Sequence, residues 1–127
     1  MRYTTEWRQS FPSMSEAMIT DEKKLLSALG LCARAGKLTF GVPMICEALK
    51  KGGKEGLKIV LEASDTSENT HKRISDRCGY YKVQLIRLKA DGIGLAMAVG
   101  KSSSLGAVAV SDEQFCRLIK QYIQLGE

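Results

Sequence analysis

The residues of this chain that are best suited to chemistry lie between Arg34 and Pro43, where glycines and cations surround the join of two predicted helices. Gly36 can adopt the left-handed conformation that ends a helix, and Pro43 suits a first helical turn, where its missing N–H is not needed. Gly41 frees the backbone at the next turn. The second helix is therefore predicted to begin with unpaired amides beside Arg34 and Lys37. Such a helix start suits phosphate or a nucleic-acid backbone, and the same residues also suit a plain helix–loop–helix connection.

Two further groups of residues extend this candidate site. Lys50 and Lys51 lie about two turns, or roughly 10 Å, along the second predicted helix, a distance that suits successive phosphates of a folded RNA. The alternative interpretation is a solvated helix end whose cations offset the helix dipole. The other group is a run of small residues with free amides, which suits contacts to bases or sugars and equally a flexible loop. That run is Gly100, Lys101, Ser102, Ser103 and Ser104.

Catalytic and metal-binding chemistry have little support in the sequence. The single histidine, His71, is separated from Cys78 on the same predicted helix by about 10 Å, which is too far for a hydrogen bond. The four cysteines form no CxxC pair, so they are predicted to be buried, reduced thiols. Asp65 and Glu68 are predicted to cap the amides of a third helix. We therefore expect no enzyme activity, no cofactor and no metal.

The net charge of +5 is concentrated in one part of the chain. Residues 21–60 contain eight Lys and Arg against four Asp and Glu. A basic face attracts polyanions such as RNA, although moderate positive charge also occurs on proteins that bind no nucleic acid. The apolar runs are far shorter than the roughly 20 residues of a membrane span, and no signal peptide is recognised, so a cytoplasmic protein is expected.

The chain of 127 residues, 44% of them hydrophobic, predicts one domain over residues 20–127 after a tail over residues 1–19. Helices are predicted from Thr20 or Asp21 to Arg34, from Pro43 to Lys51, around His71 to Cys78, and over 91–99 and 111–125. Strands are predicted over 57–63, 83–88 and 105–110. Strands that alternate with helices predict a sheet covered on both faces, a three-layer α/β/α sandwich.

Four segments, in order, make the chain similar to a known family. They are Leu29 to Leu38 (LGLCARAGKL), Ile59 to Thr70 (IVLEASDTSENT), Leu95 to Lys101 (LAMAVGK) and Val108 to Asp112 (VAVSD), with Gly41 opening a helix after the first. Over residues 22–123 the chain resembles the small RNA-binding ribosomal proteins that include archaeal L seven Ae, eukaryotic L thirty and their short bacterial relatives.

The resemblance implies an α/β/α sandwich with a four-stranded mixed sheet and no enzyme activity. Many members of this family bind kink-turns, which are sharply bent RNA internal loops with tandem sheared G·A pairs. The RNA surface would then combine the start of the second helix, from Gly41, with the loop after Gly100 and Lys101. The implied partners are structured ribosomal or regulatory RNA and the ribosome, with no membrane and no small-molecule substrate.

This sequence departs from the family pattern at the start of the second helix. Where archaeal members have Gly-Thr-Asn-Glu-x-x-Lys, Pro43 and Met44 replace the amide and carboxylate that contact the G·A edges, and Glu47 replaces the lysine. The departure implies weakened base specificity and a larger contribution from cations and backbone amides. The full predicted contact set is Arg34, Lys37, Gly41, Pro43, Met44, Glu47, Lys50, Lys51, Gly100, Lys101, Ser102, Ser103 and Ser104.

Two other functions fit the same sequence. One is a partner subunit similar to the substrate-binding modules of RNA methyltransferases, since no methyltransferase domain follows within this chain. The other is a protein-interaction module that has kept the fold and lost RNA binding.

Overall fold

The computed structural model describes residues 18–52 and 56–124, and every bound and contact given below refers to those residues. The strands are β1 (Met18–Ile19), β2 (Leu38–Phe40), β3 (Ile59–Glu62), β4 (Gln84–Arg87), β5 (Ala107–Val110) and β6 (Ile123–Gln124). The helices are α1 (Glu22–Arg34), α2 (Val42–Lys51), α3 (Glu68–Tyr81), α4 (Gly92–Ala98) and α5 (Glu113–Lys120).

The central sheet has four strands in the order β2-β5-β3-β4. Strands β3 and β4 run parallel, whereas β5 is antiparallel to both of its neighbours, β2 and β3. The strand register defines two opposite ends of the sheet, called the loop end and the basic end. The loop end contains Phe40, Glu62, Arg87 and Ala107, and the basic end contains Leu38, Ile59, Gln84 and Val110.

Helices cover both faces of this sheet, so the predicted α/β/α sandwich with a four-stranded mixed sheet is confirmed. On one face α2 and α3 bury a cluster that includes Ile45, Leu49 and Ile74. On the other face α1, α4 and α5 bury a larger cluster that includes Leu29 and Leu95. Strands β3 and β5 are buried along their whole length, which explains their continuous apolar sequence.

Short polar side chains begin most of the helices. Asp21, Ser67, Asp91 and Asp112 each accept a hydrogen bond from the backbone N–H three residues ahead, at the starts of α1, α3, α4 and α5. The prediction that Asp65 caps the third helix is wrong. Its carboxylate instead accepts a 2.9 Å hydrogen bond from the N–H of Gly92, because Ser67 already occupies the capping position.

Strand β2 is absent from the predicted elements, which placed only a turn between the first two helices. Leu38–Phe40 is long enough for just three ladder pairs, and its partner β5 lies far along the chain. The strand matters because it spans about 10 Å and so separates Lys37 from Gly41. The expectation that Arg34 and Lys37 flank the first amides of α2 is therefore wrong.

The last helix is shorter than the predicted 111–125 segment. Helix α5 ends at Lys120, and Ile123 then pairs with Ile19 in a two-stranded antiparallel sheet of β1 and β6. Tyr122 and Ile123 continue the apolar spacing of α5, which made the helix look longer, but the pairing with β1 takes them into a strand. Most of the predicted tail, residues 1–17, lies outside the described residues.

All four cysteines are buried and free, which confirms that they are core thiols. Burial raises the pKa of the Cys32 thiol to about 11 and that of the Cys78 thiol to about 12. Within the described residues, no group of three or more His, Cys, Asp and Glu side chains is placed to hold a metal ion. The helices described here also include none long and apolar enough to cross a membrane.

Candidate nucleic-acid interface

Helix α2 begins at the loop end without a capping side chain. Gly41 adopts a φ of 87°, a conformation that favours glycine, and its N–H donates a 3.0 Å hydrogen bond to the carbonyl of Ala107. Pro43 lies in the first turn and has no N–H to satisfy, while the exposed Met44 follows it. The start of α2 therefore presents backbone N–H groups and the positive end of the helix dipole without a protein acceptor from a side chain.

The exposed loop that follows α4 lies beside this helix start. Gly100 adopts a φ of 80°, and the Lys101 N–H donates a 2.8 Å hydrogen bond to the carbonyl of Ala96, which closes the end of α4. The Lys101 ammonium group then lies 4.3 Å from the centroid of the Phe40 ring, at the end of β2. This cation–π contact brings the 100–104 loop to the start of α2, as the resemblance implies.

Hydrogen bonds between loops fix the rest of the loop end. The N–H of Ala63 donates to the carbonyl of Gly106 at 2.8 Å, and the N–H of Leu105 donates to the carbonyl of Gly92 at 3.1 Å. A Cβ atom at Gly106 would lie 3.4 Å from the side chain of Val42, so this loop lies directly beside the start of α2. The surface is consequently held in place before any ligand arrives.

Glu62 is a buried carboxylate whose role was not predicted from the sequence. It has no exposed surface, and the Nδ1 atom of His71 lies 2.8 and 2.9 Å from its two carboxylate oxygens. The Thr66 hydroxyl donates to the same group at 2.5 Å. The signal that could have revealed it is a lone charge inside the apolar run that forms β3. His71 is thus a structural partner of this carboxylate, and the structure gives it no role beyond that.

Arg87 adds a second support for the loop that follows β3. Its guanidinium group donates a 3.0 Å hydrogen bond to the carbonyl of Ser64. Together with the Glu62 and Thr66 contact, this bond holds residues 63–67 against the neighbouring 90–92 segment, where the N–H of Ser64 reaches the carbonyl of Ala90 at 2.9 Å.

The structure divides the predicted contact set between the two ends of the sheet. The members at the loop end are Gly41, Pro43, Met44, Gly100, Lys101, Ser102, Ser103 and Ser104, and the exposed Glu47 lies one turn further along α2. The members at the basic end are Arg34, Lys37, Lys50 and Lys51. Lys50 is about 13 Å along α2 from Gly41, somewhat further than the roughly 10 Å predicted.

The predicted contact set supplies little positive charge at the loop end. Lys101 is the cation of the predicted set that lies there, and the guanidinium of Arg87 is already engaged with Ser64. Asp65 and Asp91 add carboxylates at the same end, and both of them accept backbone hydrogen bonds. Among the predicted contact residues, a ligand at the loop end would therefore meet backbone amides, hydroxyl groups and Lys101.

A mixed four-stranded sheet between two helical layers, with an uncapped helix start held beside a glycine-containing loop, defines the class of domain. Residues 23–119 match the Ribosomal protein L7Ae/L30e/S12e/Gadd45 family, and the chain belongs to that family.

Two relatives carry the name RNA-binding protein YlxQ. The chain is 33% identical to the Bacillus subtilis protein over 87 residues, which cover 68% of this chain and 82% of the relative. It is 30% identical to the Enterococcus faecium protein over 104 residues, which cover 82% of this chain and 95% of the relative.

Solved structures show the same fold. A protein of unknown function from Bacillus halodurans superposes with a TM-score of 0.70 at 30% identity, over 78% of this chain and 95% of the other. The Giardia lamblia 15.5kD RNA binding protein superposes with a TM-score of 0.64 at 12% identity, over 80% of this chain and 82% of the other, a likeness in fold alone.

Proposed function

We propose that this protein binds structured RNA at its loop end, that the RNA is an internal loop of the kink-turn kind, and that the complex is associated with the ribosome. Family membership and the names of the two bacterial relatives support RNA binding. The observation that carries the proposal is the contact of Lys101 with Phe40, which holds the 100–104 loop beside the uncapped start of α2. In this proposal the protein acts in the cytoplasm by binding, with no chemical step.

The chemistry of the loop end fits a bent RNA better than a regular helix. Backbone N–H groups at the start of α2 suit phosphate oxygens, and Lys101 supplies one positive charge beside them. The exposed Met44 side chain and the three serines of the 100–104 loop suit unstacked bases and sugars. Sequence-specific RNA recognition usually targets bulges and internal loops of this sort, because the deep groove of a regular RNA helix is closed to side chains.

Base discrimination in this proposal is weak. Pro43 and Met44 have no side-chain groups that donate or accept strong hydrogen bonds, and the exposed Glu47 carboxylate repels phosphate. By analogy with base contacts in DNA, each good bidentate contact contributes about 1–3 kcal/mol of discrimination. The loss of two such contacts therefore lowers selectivity by about tenfold or more.

The test compares a kink-turn RNA with the same RNA after disruption of its G·A pairs, by gel-shift titration in one buffer. We expect the wild-type protein to prefer the intact kink-turn by less than about tenfold. The triple variant Pro43→Asn, Met44→Glu, Glu47→Lys should raise that preference, because it restores hydrogen-bonding groups and a cation. A wild-type preference of about a hundredfold or more would contradict weak discrimination and would assign base reading to the amides and serines.

A matched pair of lysine variants tests where the RNA binds. Lys101→Gln should weaken binding to the kink-turn, whereas Lys120→Gln, which changes an exposed lysine of α5 on the face of the sheet opposite α2, should not. Equal effects of the two variants would count against the loop end. Cosedimentation of the wild-type protein with ribosomal subunits on a sucrose gradient tests the ribosome association separately.

A further inference from the structure

A second surface lies at the basic end, in a shallow groove between the last turns of α2 and α3. Its lining residues are Lys50, Asp76, Arg77, Tyr80 and Tyr81, and its volume is about 490 Å³. The groove lies on the same helical layer as the start of α2 but at the other end of that helix. It is therefore separate from the loop-end surface, although its Lys50 belongs to the contact set predicted from the sequence.

Tyr80 is the most unusual residue of this groove. Its side chain is 78% exposed, whereas tyrosine is on average intermediate in burial. The ring meets the ring of Tyr81 edge to face, with centroids 4.8 Å apart and an interplanar angle of 86°. Tyr81 is half-buried and packs against the α2/α3 core, so it holds the exposed ring of Tyr80 in place. An open, oriented aromatic face is suited to stacking with a nucleobase.

The charges around Tyr80 favour a polyanion. Lys50 and Arg77 line the groove, and Lys51 is exposed in the same last turn of α2. Within residues 18–52 and 56–124, these three cations form no ion pair, while Asp76 is the one carboxylate in the groove lining. The local excess of positive charge thus has no protein partner in the described part of the chain.

The positive surface continues across the basic end of the sheet, where β2, β3 and β4 begin. Lys82 follows Tyr81 in the left-handed conformation with a φ of 59°, and it lines a neighbouring hollow that shares Tyr81 with the groove. Lys37 directly precedes β2, and one strand, β5, lies between β2 and β3 in the sheet. Since neighbouring strands lie about 4.8 Å apart, the row from Lys37 to the start of β4 extends about 14 Å.

We propose that this groove is a second RNA-contact site, in which an unpaired nucleotide stacks on Tyr80 while Lys50 and Arg77 bind the adjoining phosphates. This inference rests on the proposed function, because it assigns a second segment of the same RNA to the basic end. Helix α2 is about 15 Å long, and four or five nucleotides at about 3.4 Å each cover that distance. A strand that leaves the internal loop bound at the loop end can therefore reach Tyr80.

The experiment uses the full chain and three kinds of RNA. The first is a kink-turn duplex, the second is the same duplex with a single-stranded extension of six uridines placed on either strand in turn, and the third is free hexauridylate. Fluorescence anisotropy measures their affinities for wild-type protein, Tyr80→Ala and the matched control Tyr80→Phe, which keeps an aromatic face. Thermal unfolding of each variant verifies folding, which we expect to be preserved because the side chain is exposed.

We expect the extension on one of the strands to raise wild-type affinity about tenfold, because one of its bases stacks on the Tyr80 ring. Tyr80→Ala should remove this gain without changing the affinity for the unextended duplex, and Tyr80→Phe should keep it. The inference is overturned if neither extension increases affinity, or if Tyr80→Ala keeps the gain. In either case unchanged binding of the unextended duplex leaves the proposed loop-end function intact.

The reverse result is also distinguishable. If the protein does not bind the kink-turn duplex but binds hexauridylate in a manner that Tyr80→Ala abolishes, the loop-end proposal fails and the groove stands as an RNA site. Failure to bind any of these RNAs overturns both proposals and favours a protein partner for this surface.

Discussion

At the scale of single residues, the polar groups inside this domain position its loops. The buried Glu62 carboxylate would be costly to keep away from water without partners, and His71 and Thr66 supply them. Both partners belong to the segment that leaves β3, so the carboxylate joins the end of the strand to the start of α3. The same contact sets the position of residues 63–67, which border the start of α2. A residue with no exposed surface thus shapes the proposed RNA surface.

A buried thiol gives the residue-scale prediction. Burial, with smaller contributions from Cys46 and Glu62, raises the pKa of the Cys78 thiol from 9.0 to about 12. Below about pH 8 the thiol is protonated in both folded and unfolded chains and contributes no pH dependence. As pH rises above 9.0, the unfolded chain loses this proton and the folded chain keeps it, so the free energy of unfolding should fall.

Urea denaturation of wild-type protein and of Cys78→Ala, at about pH 8, 9 and 10 under reducing conditions, measures this effect. The decline of wild-type stability with pH should be steeper than that of the variant by up to about 1.4 kcal/mol per pH unit. Parallel pH profiles would show that the thiol ionises equally in the folded state, and would contradict its burial.

At the scale of elements, the contact between α1 and α4 controls the loop that follows α4. A Cβ atom at Gly30 would lie 2.8 Å from the carbonyl oxygen of Ala98, a backbone atom that cannot rotate away. Alanine is normally better than glycine inside a helix by about 1 kcal/mol. Here that order should be reversed, because any side chain at this position pushes α4 away from α1.

We predict that Gly30→Ala lowers the free energy of unfolding by about 1–3 kcal/mol, as overpacked sites do. The exposed Ser27, one turn earlier on the same helix, offers the matched control Ser27→Ala, which should change stability by less than about 0.5 kcal/mol. Because α4 leads directly into the 100–104 loop, Gly30→Ala should also weaken kink-turn binding. A stabilised Gly30→Ala protein with unchanged RNA affinity would show that the two helices separate at no cost.

Local signals in the sequence predict most of these elements. Asp21 before α1 and the apolar run of β3 are sufficient to place a helix and a strand, because capping and burial depend on neighbouring residues. Strand β2 and the end of α5 were missed for the opposite reason. Three residues have too short a pattern to identify a strand, and both β2 and β6 depend on partners far away in the sequence.

The candidate site, like the fold, could be predicted in part from the sequence. Gly41, Pro43 and the 100–104 loop could be found from turn chemistry and the family resemblance, and the structure brings them together. Arg34 and Lys37 are near Gly41 in sequence but not in space, since the path of β2 places them at the other end of the sheet. Tyr80 has no local signal, because its exposure depends on how α3 packs beside α2.

At the scale of the whole molecule, the cations of the predicted contact set are divided between the two ends of the sheet. The loop end offers amides and Lys101, while Lys50, Lys51 and Arg77 gather around the groove at the basic end. The two surfaces are separated by about 13 Å along α2, which exceeds the Debye length of about 8 Å at physiological salt. A lysine at one end therefore contributes little through space to an RNA bound only at the other.

This separation makes salt dependence a test of how the whole molecule meets RNA. Replacing a lysine that contacts a phosphate should reduce, by about one, the steepness with which log affinity falls as log salt concentration rises. Lys101→Gln should have this effect with the kink-turn duplex and with its uridine-extended form. Lys50→Gln should have it only with the extended RNA, and Lys120→Gln should have it with neither. Identical slopes for Lys50→Gln and wild-type protein on both RNAs would confine RNA binding to the loop end. A reduced slope for Lys50→Gln on the unextended duplex would instead place the duplex itself across both ends of the sheet.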